Sequence, residues 1–435
     1  MTDIKRIENN GCISIYRYGA DRFKSENISL YFSLPNIREE SVKRSLLLAV
    51  LKRGTEKYPS QRLINERLDE LYAALVNIKN QKFDKEQLLG ISADIICSSY
   101  TEDGTDLLPD VLELISQMLF HPVLDEKDGM FMDEYVRSEK ENYKSIILSQ
   151  INEPRTYAAI RCREEMFASL GIVDTLDTMC EKIESISTKE LYECYKNIVQ
   201  NANIKVFYVG PRDIDEVYLQ VKNAFGDRKI EFSDMPEGYI KLLEDREEPN
   251  EINESSDISQ GRLIMGFNCR TTWRHDQYYA MLLCNEILGA SPISKLMMNV
   301  REALSLCYEC SSIYNSARGA LFVTTGIDPE NYALAKEAIL DQIEQIKAGK
   351  ISETEFSAAK KSIFNVYSAL VDSPSAIERF YLGRLVCKID IDIDEFLRKI
   401  DELTVSDVIN AAKSLNLHTV YFLSPDGTCE EGSNE

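Results

Sequence analysis

The sequence contains few of the residues that metal and nucleophile chemistry usually require. It has only three histidines in 435 residues, namely His121, His275 and His418. None of them begins an HExxH motif, in which two imidazoles one helical turn apart bind zinc. A GxSxG nucleophile turn and a Gly-rich phosphate loop ending in Lys-Ser/Thr are also absent from the sequence. We therefore interpret each histidine as structural, and the sequence predicts no metal site within this chain.

Positive charge and long apolar runs are scarce as well. The chain has 72 acidic against 50 basic residues, a net charge of −22, which disfavours nucleic acid and anionic membranes as partners. No apolar stretch approaches the roughly 20 residues that span a bilayer, and the N-terminal segment has no apolar core of the signal-peptide type. We predict a cytoplasmic protein with no membrane segment.

The cysteines indicate a reducing compartment rather than a disulfide framework. Eleven are scattered along the chain, an odd number, and an extracellular framework would favour an even one. Cys307 and Cys310 have the CxxC spacing of redox and zinc sites, but the alternating sequence LSLCYECSSIYN predicts a strand. Positions three apart on a strand point to opposite faces, so we expect this pair neither to bridge nor to chelate.

The most informative pattern is an internal duplication. Residues 187–211 resemble residues 403–425, since both contain a capped helix, a β-branched and aromatic strand, and a final proline. Residues 152–167 likewise resemble residues 372–386, and in each of these segments a proline stands where one helix stops and another begins. A period of about half the chain indicates a duplication rather than a solenoid array.

The order of elements predicts the fold class and the domains. Strands at residues 27–35 and 262–270 are followed in each half by helices, a further strand and more helices, a pattern typical of an α/β sandwich with helices covering a sheet. We predict an α+β fold of two tandem homologous modules, residues 1–228 and 261–435. An acidic linker at residues 229–260 would join them. The strand order stays open.

Two segments are candidates for function. Residues 45–60, SLLLAVLKRGTEKYPS, form an apolar helical run that ends in a basic corner and contain no metal-binding group. In residues 291–312, SPISKLMMNVREALSLCYECSS, a helix ends near Arg301, and Tyr308 lies on the next strand. If the turn folds back, these two side chains can grip a peptide carbonyl or an oxyanion. Alternatively, the arginine meets the helix dipole and the tyrosine packs.

Together these segments resemble the insulinase/pitrilysin family of zinc metallopeptidases, which includes mitochondrial-processing-peptidase-type enzymes. Active members carry HxxEH immediately before a phrase like VLKRGTEKYPS. Here the two histidine positions hold Ser45 and Ala49, and the glutamate position holds Leu48. Glu134 and Glu139 lie roughly where the family takes its third ligand, but alone they cannot hold zinc.

The second-half signature of the family, R-E-x-x-G-L-x-Y, is present with one departure. Arg301 and Tyr308 match at the family's spacing, and Ser305 replaces the glycine. In the family this arginine and tyrosine contact the substrate and help to stabilise the transition state. The resemblance also implies that each module is a mostly antiparallel sheet covered by helices, and that the two modules form half of a clamshell.

The resemblance also implies a division of labour between subunits. Bacterial members often pair one chain that carries HxxEH with another that keeps the arginine and tyrosine, and this chain resembles the second kind. We therefore expect a subunit without a cofactor, whose partner holds the zinc and whose substrate is a peptide or an unfolded segment. Two alternatives stay open: a non-enzymatic peptide-binding or scaffolding clamshell, possibly homodimeric, and an independent hydrolase with unrecognised chemistry.

Overall fold

Strands and helices are interspersed along the computed structural model, which describes residues 4–9, 13–83, 85–226 and 241–426. The described strands are β1 (Ile4–Asn9), β2 (Ile13–Gly19), β3 (Ser25–Pro35), β4 (Leu75–Lys82), β5 (Glu86–Ile96), β6 (Asn203–Gly210), β7 (Asn250–Ser256), β8 (Gly261–Asn268), β9 (Glu309–Asn315), β10 (Ala320–Ile327) and β11 (Asn416–Pro425). The described α-helices are α1 (Arg38–Leu51), α2 (Gln61–Glu70), α3 (Leu108–Phe120), α4 (Asp133–Ile151), α5 (Pro154–Phe167), α6 (Leu176–Ser185), α7 (Thr188–Asn201), α8 (Ile214–Phe225), α9 (Tyr278–Asn285), α10 (Tyr332–Lys347), α11 (Glu353–Ser368), α12 (Pro374–Cys387), α13 (Ile393–Asp401) and α14 (Val405–Ala412). Within these ranges, no helix is both long enough and apolar enough to cross a bilayer.

The described strands form two sheets with the same internal order. The first sheet runs β1-β2-β6-β3-β5-β4 and the second runs β7-β11-β8-β10-β9. Neighbouring strands are antiparallel except for β2 with β6 and β7 with β11, which are parallel. The second sheet therefore repeats the order β2-β6-β3-β5-β4. This confirms the predicted α+β fold of two homologous, mostly antiparallel modules.

The repeated helix-to-strand segments begin with the same cap. Ser187 at the start of α7 and Thr404 at the start of α14 each accept a hydrogen bond from the backbone three residues on, and the side chain at that position bonds back. This capping box satisfies backbone donors that a helix start otherwise leaves unpaired. The duplication seen in the sequence is thus present in local structure as well as in sheet order.

The predicted linker requires a correction. Residues 250–256 form β7, which pairs in parallel with β11, so the second sheet begins before residue 261. Residues 227–240, which include the first part of that interval, lie outside the described residues. The strand was missed because its sequence, NEINESS, contains a single apolar residue, Ile252, and an edge strand can bond to one neighbour without an apolar pattern.

Contacts divide the chain into two compact units that are not contiguous in sequence. The first unit contains the described residues of Met1–Ser145, Leu176–Gly238 and Ala369–Asp392. The second contains those of Ile146–Thr175, Tyr239–Ser368 and Ile393–Glu435. Helix α12 from the second half of the sequence thus belongs to the first unit, and α5 from the first half belongs to the second. The contiguous modules expected from sequence exchange one helix each.

Helix α12 is held in the first unit by a buried polar contact. The hydroxyl of Tyr31, on β3, donates to Glu378 Oε1 at 2.6 Å. Glu378 is 1% exposed, and this burial raises its pKa above the ordinary glutamate value. Nearby, Tyr381 of α12 packs on Tyr18 with ring centroids 5.4 Å apart. This hydrogen bond and this aromatic contact therefore help to hold the helix on the sheet, together with its buried apolar residues.

Replacing Glu378 by glutamine should make stability less sensitive to rising pH. A folded pKa above the unfolded value of 4.5 means that the contribution of Glu378 is complete below 4.5 and is lost as pH rises through the folded pKa. Glutamine keeps an acceptor for Tyr31 and cannot ionise. The stability of Glu378→Gln relative to wild type should therefore increase with pH, measured by urea unfolding between about pH 5 and about pH 8. The same change at exposed Glu353 is the control, and parallel curves for Glu378→Gln and wild type would contradict this account.

Helix α5 makes the corresponding contacts in the second unit. Ala158 and Cys162 pack with Ile264, Tyr421 and Leu423 in one buried cluster. A second buried cluster joins Met166 and Phe167 at the end of α5 to the start of β10. Because small and apolar side chains on α5 match those on β8 and β11, burial of this helix stabilises the second unit.

Candidate functional site

Helix α1 carries the degenerate metal motif, which consists of Ser45, Leu48 and Ala49. The hydroxyl of Ser45 donates to the Ser41 carbonyl at 3.0 Å and accepts from Asn80 Nδ2 of β4 at 2.7 Å. Leu48 is 3% exposed and belongs to the core. The two histidine positions of an HxxEH motif are therefore occupied by small, half-buried residues, Ser45 and Ala49. The glutamate position is occupied by the aliphatic Leu48.

The residues around this motif do not fit a zinc ion. Glu139 of α4 forms an ion pair with Arg53 at 3.3 Å, and Arg53 also donates to Ser138 Oγ at 2.8 Å. Glu134 is exposed in the first turn of the same helix. In the part of the chain that the structure describes, no three histidine, cysteine, aspartate or glutamate side chains are grouped as metal ligands would be. A hydroxyl, a methyl group and an isobutyl group cannot replace the imidazole and carboxylate ligands of zinc.

The corner after α1 keeps a tightly packed turn. A side chain on Gly54 would place its Cβ 2.6 Å from the Pro59 carbonyl oxygen, so glycine is required there. Thr55 is fully buried, and its hydroxyl accepts from the Tyr58 backbone at 2.9 Å. The sequence match to the family in this corner therefore corresponds to a specific local structure, although the neighbouring motif has no ligands.

The histidines occupy separate parts of the fold. His121 caps the end of α3, His275 lies between β8 and α9, and His418 is buried in β11. His275 Nδ1 accepts from the Gln277 backbone at 3.1 Å, and His418 Nδ1 lies 2.8 Å from the Thr419 hydroxyl. Each contact is local to its turn or strand, as expected for structural histidines.

Arg301 lies on an unusual helical segment in the second unit. Residues Leu296–Ala303 form a π-helical turn, and a second such turn, Glu286–Ala290, precedes it. π-Helical turns are rare and are frequently found at functional sites. The guanidinium is therefore presented from a widened helix end, immediately before the turn that leads to Tyr308.

The structure brings Arg301 and Tyr308 into direct contact. Arg301 Nε donates to the Tyr308 carbonyl at 2.9 Å, and its Nη1 donates to Glu302 Oε1 at 2.9 Å. The phenolic hydroxyl of Tyr308 makes only a long bond of 3.4 Å to Asp328 Oδ1. The Arg301 side chain is 41% exposed and Tyr308 is 61% exposed. The Arg301 side chain thus contacts the Tyr308 backbone, and both side chains are open to solvent.

The turn between them passes through Ser305, which replaces the family's glycine. Ser305 has φ of +52°, in the left-handed region, and its N–H donates to the Arg301 carbonyl at 3.1 Å. Helices often end on such a residue, which is usually glycine because a Cβ is disfavoured there. The serine therefore adopts the glycine conformation, and the turn folds back as the spacing of Arg301 and Tyr308 requires.

Glycine at position 305 should stabilise the protein. Left-handed backbone costs a residue with a Cβ about 1–2 kcal/mol, so we expect Ser305→Gly to raise the free energy of unfolding by about 1 kcal/mol, measured in urea. Ser316, in another turn of the second unit, is not among the residues with positive φ, and Ser316→Gly should give no gain. A loss of stability in Ser305→Gly would show that the turn needs the serine side chain.

We expected the side chains of Cys307 and Cys310 to point to opposite faces of one strand, and this expectation was wrong. Cys307 precedes β9, so the strand rule does not apply to it, and its thiol lies close enough to that of Cys310 for the two to interact. This interaction lowers the pKa of Cys307 and raises that of Cys310. Both cysteines are buried free thiols beside the turn that carries Arg301. Sequence reasoning missed that the strand begins only at Glu309, after Cys307.

Glu309, next to Tyr308, was also missed by sequence reasoning. Its carboxylate accepts from Arg262 at 3.1 Å and pairs with Arg155 of the exchanged helix α5 at 2.8 Å. Neither contact is evident from local sequence, because the two arginines lie 47 and 154 residues before Glu309. The start of β9 is therefore anchored by two cations within the second unit.

Comparisons with known proteins agree with this arrangement. Residues 185–363 match the family described as the peptidase M16 inactive domain. Over 414 residues the chain is 27% identical to the probable inactive metalloprotease YmfF of Bacillus subtilis, spanning 95% of this chain and 96% of that protein. A conserved protein from Enterococcus faecalis V583 is similar in structure, with a TM-score of 0.86 and 24% identity over 100% of both chains. For an M16 inactive domain from Pseudomonas fluorescens the TM-score is 0.77, with 16% identity over 97% and 98% of the two chains.

The fold and the empty motif together define a metallopeptidase-like protein without the ligands of a zinc site. The chain is similar to the M16 inactive domain over residues 185–363 and to a probable inactive metalloprotease over nearly its whole length. This confirms the resemblance on which the expectations from sequence were based.

Proposed function

We propose that this chain is the zinc-free, non-catalytic subunit of a heterodimeric bacterial metallopeptidase. It contributes half of a peptide-binding chamber and supplies Arg301 and Tyr308 to the active site of a partner that carries HxxEH and the zinc. The main support is the contrast between the two halves. The motif positions in α1 hold Ser45, Leu48 and Ala49, whereas Arg301 and Tyr308 remain in contact with each other and exposed.

The chemistry of the pair suits transition-state stabilisation. When a peptide bond is attacked, negative charge develops on the carbonyl oxygen, and preorganised donors lower the barrier. The Arg301 guanidinium is oriented by its bond to the Tyr308 carbonyl, and the Tyr308 hydroxyl has only one long contact. Both can therefore donate to a substrate oxygen without breaking a strong internal bond, and the arginine adds a charge-assisted one.

We place this complex in the cytoplasm. All nine cysteines among the described residues are free thiols, which fits a reducing compartment. The net charge of −22 argues against an anionic membrane or nucleic acid as a further partner. The peptide substrate and the HxxEH-bearing subunit are thus the proposed partners.

Association with such a partner is the test of this function. The full chain should be mixed with an HxxEH-bearing homologue from the same organism, and the masses of the species measured by sedimentation equilibrium. We expect a one-to-one complex and little self-association of this chain. A stable homodimer with no affinity for the zinc-motif partner would contradict the proposal and favour a scaffolding role.

A further inference from the structure

Two free thiols lie on either side of Tyr308 in the second unit. Cys307 immediately precedes Tyr308, and Cys310 is the second residue of β9. The two thiols lie close enough to interact, and both also interact with the hydroxyl of Thr325 on β10. The proposed function uses neither thiol, so a reaction between them is a further property of this chain.

The backbone around Tyr308 brings the two thiols together. On a continuous strand, residues three positions apart are separated by roughly 10 Å, which is too far for a disulfide. Here the strand begins only at Glu309, and the chain bends at Tyr308. The bend shortens the distance between Cys307 and Cys310, which explains why their thiols can interact.

The neighbouring strand β10 holds this bent segment in place. The Tyr308 N–H donates to the Gly326 carbonyl at 3.0 Å, and the Thr325 hydroxyl donates to the Glu309 carbonyl at 2.7 Å. Cys310 pairs with Thr325 in the antiparallel register of β9 and β10. Because the segment is fixed on a largely buried strand, the two thiols are preorganised to react with each other.

The surroundings of the two thiols favour Cys307 as the group that reacts first. Interaction with Cys310 lowers the pKa of the Cys307 thiol despite burial, and the Thr325 hydroxyl and the Arg301 cation lower it further. The same interaction and burial raise the pKa of Cys310. Cys307 is 9% exposed and follows an exposed turn, whereas Cys310 is 3% exposed. A thiolate is the reactive form of cysteine, so Cys307 is the better nucleophile and Cys310 is placed to resolve its product.

We propose that Cys307 and Cys310 form a site of reversible oxidation, at which hydrogen peroxide converts the two thiols into a disulfide. The Cys307 thiolate attacks one peroxide oxygen, so that an S–O bond forms and the O–O bond breaks. The hydroxide that leaves takes up the proton released by Cys307. The Cys310 thiolate then attacks the Cys307 sulfur, so that the S–S bond forms and the second oxygen leaves as hydroxide, which takes up the proton released by Cys310. Two thiols are thereby oxidised, and one peroxide is reduced to two waters.

The disulfide would close a short ring that contains Tyr308. The carbonyl of Tyr308 accepts from Arg301 Nε at 2.9 Å, and drawing the two sulfurs to bonding distance changes the backbone at this residue. Oxidation should therefore lower peptide turnover, a consequence that rests on the proposed function, whereas formation of the disulfide does not. A dithiol reductant reverses the reaction by thiol–disulfide exchange, and disulfides in a reducing compartment are usually transient ones of this kind.

Peptide mapping of the full chain tests the site. Trypsin cleaves after Arg301 and Arg318, so residues 302–318 contain both cysteines and no other. After treatment with hydrogen peroxide, removal of the excess by catalase and alkylation of the remaining thiols, we expect this peptide to carry no alkyl group and to lack two hydrogen atoms. Dithiothreitol before alkylation should restore two alkylated thiols. Two alkyl groups after peroxide treatment, or a disulfide from either cysteine to a different one, would overturn the proposal.

Serine variants assign the two roles. In Cys310→Ser the reaction should stop at a sulfenic acid on Cys307, which dimedone labels within residues 302–318. In Cys307→Ser the label on Cys310 should be at least about 10-fold lower. Cys180→Ser, at a half-buried cysteine of the first unit, is the matched control and should still form the disulfide. Equal labelling of Cys307 and Cys310 would contradict these roles, and if a variant does not fold, as judged by circular dichroism, mapping of the unaltered chain still decides.

Turnover by the reconstituted pair tests the consequence for Tyr308. This chain should be oxidised alone, freed of peroxide and then mixed with the HxxEH-bearing subunit. We expect turnover at least about 10-fold below that of the reduced chain, with recovery after reduction and desalting, and no effect of peroxide on a chain with both Cys307→Ser and Cys310→Ser. A disulfide with unchanged turnover would overturn this consequence alone. A reduced pair without turnover would contradict the proposed function and this consequence together, while the mapping still decides the disulfide.

Discussion

Phenylalanine in place of Tyr308 should lower peptide turnover by the reconstituted pair about 100-fold, without changing its zinc content. Loss of one donor to a developing oxyanion costs this much in other hydrolases. The proposed role of the tyrosine in trans requires the effect to appear in kcat, because the bond is strongest in the transition state. Zinc content should stay constant because the metal lies in the partner.

The contacts of Tyr308 indicate that Tyr308→Phe should lower turnover without disturbing the fold. Its side chain is 61% exposed, and its hydroxyl has one contact of 3.4 Å, to Asp328. Removing one oxygen should therefore leave the turn and its bond to Arg301 intact. Tyr100→Phe, at another exposed tyrosine in the first unit, is the matched control and should retain full turnover. If Tyr308→Phe behaves like this control, Tyr308 does not act in catalysis.

Methionine in place of Arg212 should lower the free energy of unfolding by about 3–5 kcal/mol. Arg212 donates to Glu26 at 2.8 Å, to Asp106 at 2.6 Å and to Glu216 at 2.6 Å. Burial alone would lower the pKa of Arg212, but the bonds to Glu26 and Asp106 outweigh it and raise the pKa. Glu26 is 1% exposed and its remaining partner is the Tyr208 hydroxyl at 2.5 Å. Without the arginine, a buried carboxylate would lose its counter-ion, which is the costly event.

An exposed ion pair provides the comparison for Arg212. Arg398 on α13 and Glu402, just after its end, are 2.5 Å apart and are 58% and 61% exposed, so Arg398→Met should cost less than about 1 kcal/mol. Adding Glu26→Gln to Arg212→Met should restore part of the lost stability, because the unpaired charge is then removed. Urea unfolding followed by circular dichroism measures all three changes. A cost for Arg212→Met no larger than that for Arg398→Met would contradict this explanation.

Buried strands and capped helices could be predicted from sequence because their local signals are strong. The strand predicted at residues 27–35 is β3, which the structure extends to Ser25 and buries on both faces. Continuous apolar sequence is typical of such central strands. The caps at Ser187 and Thr404 and the prolines that open α5 and α12 were equally clear, because each acts through its own few residues.

Edge strands and the exchange of helices could not be predicted in this way. β4 and β7 have mostly polar sequences and bond to one neighbour only, so their apolar alternation is weak. The placement of α12 depends on the contact between Tyr31 and Glu378, which are 347 residues apart. No local pattern specifies which of two similar sheets a helix will cover, because both sheets offer apolar faces.

Side-chain contacts divide along the same line. The contact of Arg301 with Tyr308 follows from seven residues of local sequence, and the turn at Ser305 completes it. The contacts of buried Arg44 with Pro35 of β3 and Gln87 of β5 join a helix to two separate strands. Local sequence therefore predicted the first contact, whereas only assembly of the sheet creates the others; the role of Arg301 and Tyr308 in a site stays a prediction.

Peptide hydrolysis by this chain alone, by the HxxEH-bearing partner alone and by their mixture, each with its zinc content, tests the division of labour most directly. We predict that the mixture cleaves a test peptide far faster than either chain. Zinc should be found only in the partner, and a chelator should abolish the activity. Cleavage by this chain alone in excess chelator, or a mixture no more active than the partner by itself, would contradict the account.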